Sequence, residues 1–259
     1  MISSCPEPLW RGVAVALVTL FDPDGVRVDV AATAAHAARL VESGVRAVLV
    51  AGSTGEPDTL TDTERATLVA AVKGACAGVP VIAGTSGPWT GTAVARTEAA
   101  VKAGADAVLV APPGRCLDVA AYYSAVAAAA GPAPVLAYHF PGVAGGEVPV
   151  EALAGLPVAG LKDSTGNAER LLAELDAWDG WTYVGAPVLT GYAGALGAAG
   201  AILAVANAVP EDCLAAWDGD PTAQRRLFGA HQAARSRFPY GLKELVAQRF
   251  GTSTTARMG

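Results

Sequence analysis

The stretch Ala47-Val48-Leu49-Val50-Ala51-Gly52-Ser53-Thr54-Gly55-Glu56, followed by Thr61-Asp62-Thr63-Glu64, decides the fold. Its apolar run is continuous rather than alternating, as expected of a strand covered on both faces. Gly52 to Gly55 then interrupt the run with small residues. Thr61 and Glu64 stand at the spacing of a capping box, in which each side chain accepts from the other residue's backbone N–H. A helix is therefore predicted over 62–75. Strand, small-residue turn and capped helix together make one β-α unit.

The unit recurs along the chain. Apolar runs predict strands at 13–20, 47–51, 80–84, 107–111, 134–140, 158–162, 182–185 and 201–206. Helical patterns lie between them, among them 30–43, 92–103 and 119–130, which stop at Gly44, Gly104 and Gly131. Strand-helix alternation with strands buried on both faces implies a parallel sheet. Eight repeats predict an α/β fold, a closed (β/α)8 TIM barrel over residues 1–209; an open, doubly wound sheet is the alternative. Beyond residue 209 strand signals cease. Helices predicted at 210–217, 222–238 and 240–250 form a C-terminal helical extension, residues 210–259, packed on the barrel and suited to an oligomer contact.

Composition limits the function. With 52% apolar and 16% charged residues the chain has an extensive core and no disorder signature. A net charge of −6 without a basic cluster argues against nucleic acid as a partner. No run of about 18 apolar residues predicts a membrane span. Residues 1–8 carry no basic segment followed by an apolar one, so a cytoplasmic location is expected. Cys5, Cys76, Cys116 and Cys213 are widely separated, and three histidines show no ligand spacing, so no metal site is expected.

In such a barrel the reactive groups stand at the C-terminal ends of the strands. Of eighteen basic residues only Lys73, Lys102, Lys162 and Lys243 are lysines, and Lys162 alone lies at a predicted strand end. An amine at the end of a buried strand is poorly hydrated, which disfavours its charged form. A neutral amine attacks carbonyl carbon, as arginine cannot. The bland alternative is a lysine reaching solvent. Tyr138 ends the neighbouring strand, roughly 5 Å away, where its phenol can serve the amine; alternatively its hydroxyl is tied to backbone. Ser53 and Thr54 supply hydroxyls and backbone N–H groups for a carboxylate or phosphate, although an ordinary turn has the same look. His139 is expected to face away from Tyr138. Glu56 is assigned a structural role in the first turn of the next helix, where the helix dipole favours an anion.

Three ordered motifs resemble those of the dihydrodipicolinate synthase and N-acetylneuraminate lyase family of class I, Schiff-base aldolases. AGSTGE (Ala51 to Glu56) resembles the family's GxxGE signature, YHFPG (Tyr138 to Gly142) its tyrosine motif, and GLKDSTGN (Gly160 to Asn167) its lysine motif. The likeness extends from about Gly12 through Asn207 and more weakly to Phe250. It implies that Lys162 condenses with the keto group of pyruvate or a pyruvate-derived substrate. It implies also that Ser53 and Thr54 hold the carboxylate, that Tyr138 and Thr54 belong to the proton relay, and that Gly185 and Ile202 line the pocket behind the adduct. No metal or organic cofactor is then required, and a homo-oligomer, dimer or tetramer, is expected.

Two positions depart from the synthases. Val143 stands where their tyrosine motif continues to a carboxylate-binding arginine, and Gly114 where they carry a tyrosine that crosses a dimer interface. The resemblance therefore implies an aldolase or lyase making or cleaving a C–C bond between pyruvate and an aldehyde, with a sugar acid or another 2-keto acid as substrate. The alternatives are a dihydrodipicolinate synthase proper, a Schiff-base dehydratase or decarboxylase of a keto-sugar acid, and a non-catalytic keto-acid-binding barrel. Arg115, in the loop after the fourth strand, is a candidate for the missing cationic contact.

Overall fold

The computed structural model describes residues 7–258. Cys5 and most of the segment read for an export signal lie outside the described residues. Eight strands, β1 (Gly12–Ala16), β2 (Val48–Val50), β3 (Val81–Gly84), β4 (Ala107–Val110), β5 (Val135–His139), β6 (Gly160–Asp163), β7 (Trp181–Val184) and β8 (Gly200–Leu203), run parallel and follow chain order around a closed barrel. Closure rests on β8 pairing with β1, with Gly12 opposite Gly200 and Val15 opposite Leu203. The open sheet is thereby excluded.

Several strands are shorter than their apolar runs. The first leaves the ladder after Ala16, yet Leu17, Val18 and Leu20 stay buried. Leu17 N–H still donates to the Leu49 carbonyl (2.9 Å), but beyond it the backbone turns to side-chain partners: Val18 N–H donates to Asn207 Oδ1 (3.1 Å) and Leu20 N–H to Thr33 Oγ1 (3.0 Å). Apolar patterning reports burial, and burial continues where the ladder ends.

Alternation along each strand separates two apolar layers. Val13, Val15, Val48, Val50, Val108 and Leu161 pack outward against the helices. Ala14, Ala16, Leu49, Ile82, Leu109 and Ile202 fill the barrel. Trp10, just before β1, stacks on Tyr183 with ring centroids 4.2 Å apart, and Tyr183 donates to the Trp10 carbonyl (3.2 Å). This stack fills the barrel interior toward the N-terminal ends of the strands.

The helices are α1 (Val30–Glu42), α2 (Asp62–Ala75), α3 (Thr90–Lys102), α4 (Val119–Ala130), α5 (Ala168–Ala177), α6 (Thr190–Ala195), α7 (Pro210–Trp217), α8 (Pro221–Arg235) and α9 (Tyr240–Phe250). The capping box of α2 forms in both directions: Glu64 N–H donates to Thr61 Oγ1 (3.2 Å) and Thr61 N–H to Glu64 Oε2 (2.8 Å). α1 and α3 end as the glycines indicated, with Gly44 and Gly104 at φ 104° and 97°. The β5–β6 connection holds a 3-10 segment, Val150–Gly155, in place of an α-helix. Pro141, Gly142, Gly145, Gly146 and Pro149 precede it and disfavour helix. α7 packs on β1, with Trp217 beside Gly12 and Leu214 against Gly44 just beyond α1.

The last two helices reach the C-terminal face of the barrel. Gln224 of α8 donates to the Pro187 carbonyl (2.9 Å) and accepts from Gly191 N–H (2.9 Å), which fixes α8 to the turn after β7. α9 reaches the β2 loop through Lys243, whose ammonium pairs with Glu56 at 2.5 Å. No helix among the described residues is long and apolar enough to cross a membrane.

Candidate active site

β5 and β6 pair with Tyr138 opposite Lys162, so the two side chains leave adjacent strands at one level. Both are buried, and the Lys162 amine lies 4.6 Å from the centre of the Tyr138 ring. Neither the Lys162 amine nor the Tyr138 hydroxyl is hydrogen-bonded to another described residue, and no described carboxylate pairs with Lys162. Both bland alternatives fail on this geometry: the lysine does not extend into solvent, and the phenol is not tied to backbone.

Strand alternation keeps the neighbouring carboxylate away from the amine. Asp163 turns to the helix side, where it accepts from Arg170 Nε (2.7 Å), Thr165 N–H (2.7 Å) and Thr165 Oγ1 (2.6 Å). Asn167 then caps α5 by accepting from Glu169 and Arg170 N–H. Residues 163–167 thus build the turn that ends the lysine strand. His139 faces outward too, and its Nδ1 accepts from Val148 N–H (3.0 Å). Burial and the nearby Arg170 guanidinium lower its pKa, which suits an accepting, neutral imidazole. Glu174 shares Arg170 with Asp163; burial and the Asp163 charge push its carboxyl up to about 8.

β2 delivers Ser53 and Thr54. Ala51 takes a left-handed conformation (φ 52°), which costs roughly 1–2 kcal/mol for a residue with a Cβ. The chain thereby swings into the 3-10 turn Ser53–Gly55. Thr19 anchors the turn by donating to the Gly55 carbonyl (2.8 Å). The hydroxyls of Ser53 and Thr54 have no hydrogen-bond partner among the described residues, so their donors stay available.

Gly185 follows β7, its N–H donating to the Asp163 carbonyl (2.5 Å). A Cβ there would stand 2.8 Å from Lys162 Cε and overlap Ser164 Oγ. The lysine side chain therefore occupies the space this glycine leaves. Ile202 closes the inner wall from β8. All six residues singled out in the sequence, Ser53, Thr54, Tyr138, Lys162, Gly185 and Ile202, line one cavity of 470 Å³ at the C-terminal face.

Three placements differ from the sequence reading. Arg115 is exposed and outside this cavity; Arg235 at the end of α8 lines it instead, with His231 one turn earlier. Burial and Arg235 both lower the pKa of His231. Phe228, Gln232 and Phe238 complete a wall that sequence reasoning missed, because nothing local in an amphipathic helix states which barrel loop it will face. Glu56 is structural, but it does not sit in the next helix. It takes a left-handed conformation (φ 55°) between two 3-10 turns, wholly buried, and accepts from Arg257 N–H (2.7 Å) and Met258 N–H (2.8 Å) besides pairing with Lys243. Lys243 is thus more buried than Lys162, and burial lowers its pKa while Glu56 raises it. What distinguishes Lys162 is its lack of an anionic partner.

A turn with two unpartnered hydroxyls, an amine without an anionic partner and a free phenol around one cavity have the chemistry to hold a 2-keto acid and form an imine with it. Among the described residues no cluster of His, Cys, Asp and Glu could hold a metal ion.

The sequence profile of the dihydrodipicolinate synthetase family matches residues 9–218. An uncharacterized DapA-like lyase of Halobacterium salinarum is 37% identical over 94% of this chain and 86% of that protein. A 4-hydroxy-tetrahydrodipicolinate synthase of Salinibacter ruber is 39% identical over 79% of this chain and 71% of its own length. Among solved structures, Escherichia coli K12 YagE, a prophage protein of the dihydrodipicolinic acid synthase family in complex with pyruvate, superposes with a TM-score of 0.87. It is 25% identical and covers 96% of this chain and 92% of that one.

Proposed function

The chain belongs to the dihydrodipicolinate synthetase family and is a lyase; on that premise we propose that it is a class I, Schiff-base aldolase. It joins pyruvate to an aldehyde or cleaves the corresponding sugar acid or other 2-keto acid. One observation carries the reading: an amine without an anionic partner, a free phenol and a hydroxyl-bearing turn converge on a single cavity.

In the proposed cycle Ser53 and Thr54 bind the pyruvate carboxylate through hydroxyls and backbone N–H groups. Lys162 Nζ attacks the keto carbon, and loss of water leaves a protonated imine. Tyr138 and Thr54 carry protons to and from the departing water. Loss of a methyl proton gives an enamine, because the cationic nitrogen accepts the electron pair. The enamine carbon attacks the aldehyde, the new alkoxide takes a proton, and water releases the product from Lys162. Cleavage runs the same steps backward. Gly185 gives the adduct its room and Ile202 its inner wall. No organic cofactor or metal enters this cycle. We further propose that the protein works in the cytoplasm as a homo-oligomer, dimer or tetramer.

Borohydride reduction in the presence of pyruvate tests the reading: peptide mass spectrometry should locate a reduced pyruvyl adduct on Lys162, absent from Lys162→Ala. Saturating pyruvate without an adduct would refute it. The identity with a 4-hydroxy-tetrahydrodipicolinate synthase supports the synthase reaction as a second reading. Val143 and Gly114 weigh against it, since neither side chain can donate to a carboxylate or relay a proton. Turnover of pyruvate with aspartate semialdehyde distinguishes the two.

A further inference from the structure

The cavity has two unlike halves. Around Lys162 its wall is polar: Ser53, Thr54, the Tyr138 hydroxyl and Ser164. Away from the amine, Phe140, Val143, Val188, Phe228, Phe238 and Leu242 form most of the wall, with His231, Gln232 and Arg235 of α8 as its polar members. They come from the loops after β5 and β7 and from the C-terminal helical region, so three separate segments supply apolar groups to one place. Val143 (64% exposed), Val188 (41%), Phe228 (48%) and Phe238 (44%) belong to the small set of large apolar side chains that this surface leaves open. Exposed apolar groups gathered at a cavity, rather than scattered, mark a ligand surface. Continuity with the lysine end points to the occupant: a partner that reacts with the enamine from within this cavity lies against this wall, while a neighbouring cavity with Arg65 and Ser86 borders Ser53 and Tyr138 from the other side.

Resting on the Schiff-base reading above, we propose that the acceptor is an aldehyde with an apolar substituent, aromatic or branched aliphatic, rather than a polyhydroxylated or carboxylated one. A polyol lying on the Phe and Val side chains would lose water contacts that those side chains do not replace with hydrogen bonds. The opposing features are His231, Gln232 and Arg235, of which Arg235 is the cation that could attract a carboxylated aldehyde. Its side chain is exposed, however, and a solvent-screened ion pair is worth at most about five-fold in binding. Burying about 100 Å² of ring surface is worth on the order of 50-fold, so the apolar wall dominates. The step is an ordinary aldol addition. The pyruvate methyl carbon bonds to the aldehyde carbon, whose oxygen takes a proton, and the product is a 4-substituted 4-hydroxy-2-oxobutanoate with no redox partner needed.

The test is an acceptor panel with pyruvate and the full chain: benzaldehyde and 3-methylbutanal against glyceraldehyde and succinic semialdehyde. Both apolar aldehydes should exceed both polar ones by about 10-fold or more in kcat/KM. Phe228→Ser and Phe238→Ser should each cut that preference at least about three-fold. Preference for glyceraldehyde or succinic semialdehyde overturns the proposal. So does an unchanged preference in both variants, whatever their oligomeric mass; an altered mass would in addition make the patch a protein interface. Borohydride trapping with pyruvate alone reports separately on the Schiff-base reading. If no adduct forms, saturation-transfer NMR with benzyl alcohol and glycerol still decides the matter: selective contact with benzyl alcohol, lost in Phe238→Ser, upholds the apolar pocket, and its absence overturns it.

Discussion

Gly185→Ala perturbs the position of the nucleophile without touching its chemistry. Gly185 lies outside the positive-φ region, so alanine suits its backbone and any effect comes from the added methyl. That methyl would stand 2.8 Å from Lys162 Cε and overlap Ser164 Oγ. Carbon atoms at rest sit about 3.5–4.0 Å apart, so Lys162 must retreat by roughly 1 Å. A displacement of that size at a reacting group costs on the order of 100-fold in rate. Overpacking costs about 1–3 kcal/mol in stability, or roughly 5 °C in Tm for a chain of this size. The assay pairs the rate of borohydride trapping by pyruvate with a thermal melt of the same sample. Trapping should slow by about two orders of magnitude while the protein still folds. A control, Ser164→Ala with Gly185→Ala, removes the hydroxyl overlap and leaves the lysine contact. Recovery of trapping in that double variant, or normal trapping in the single one, would refute the assignment of Gly185 as the residue that makes room for Lys162.

Three further outcomes are expected. Glu56→Gln leaves Lys243 buried without its anion and should destabilise the protein by about 3–5 kcal/mol, read as a lower denaturation midpoint in urea. Glu174, whose folded pKa of about 8 lies above its ordinary 4.5, binds its proton more tightly in the folded state. Its contribution is therefore full below pH 4.5 and is lost as pH rises toward 8, by an amount on the order of a few kcal/mol. Glu174→Gln should flatten stability against pH across that window, and an unchanged slope would remove Glu174 as its source. Val143→Arg places a cation at the exposed cavity rim and should raise kcat/KM for a carboxylated aldehyde by no more than about five-fold, the scale of a screened pair.

The sequence by itself determined the architecture and the inner half of the site. Continuous apolar strands, the Thr61/Glu64 box and the glycine stops at Gly44 and Gly104 act over a few residues, so their meaning does not depend on the rest of the chain. Strand alternation likewise puts His139 on the opposite face from Tyr138, and the structure shows that Tyr138 and Lys162 are the pair that points inward. Strand lengths were less legible, because Leu17, Val18 and Leu20 remain buried after leaving the ladder. Tertiary structure alone decided the outer half. That α8 brings Phe228 and Arg235 over the cavity follows from how Gln224 and its neighbours seat on the turn after β7. That Lys243, an apparently ordinary helical lysine, is buried against Glu56 follows from where α9 meets the β2 loop. Such pairings are fixed by long-range packing, and no periodicity along the chain encodes which distant loop a helix will meet.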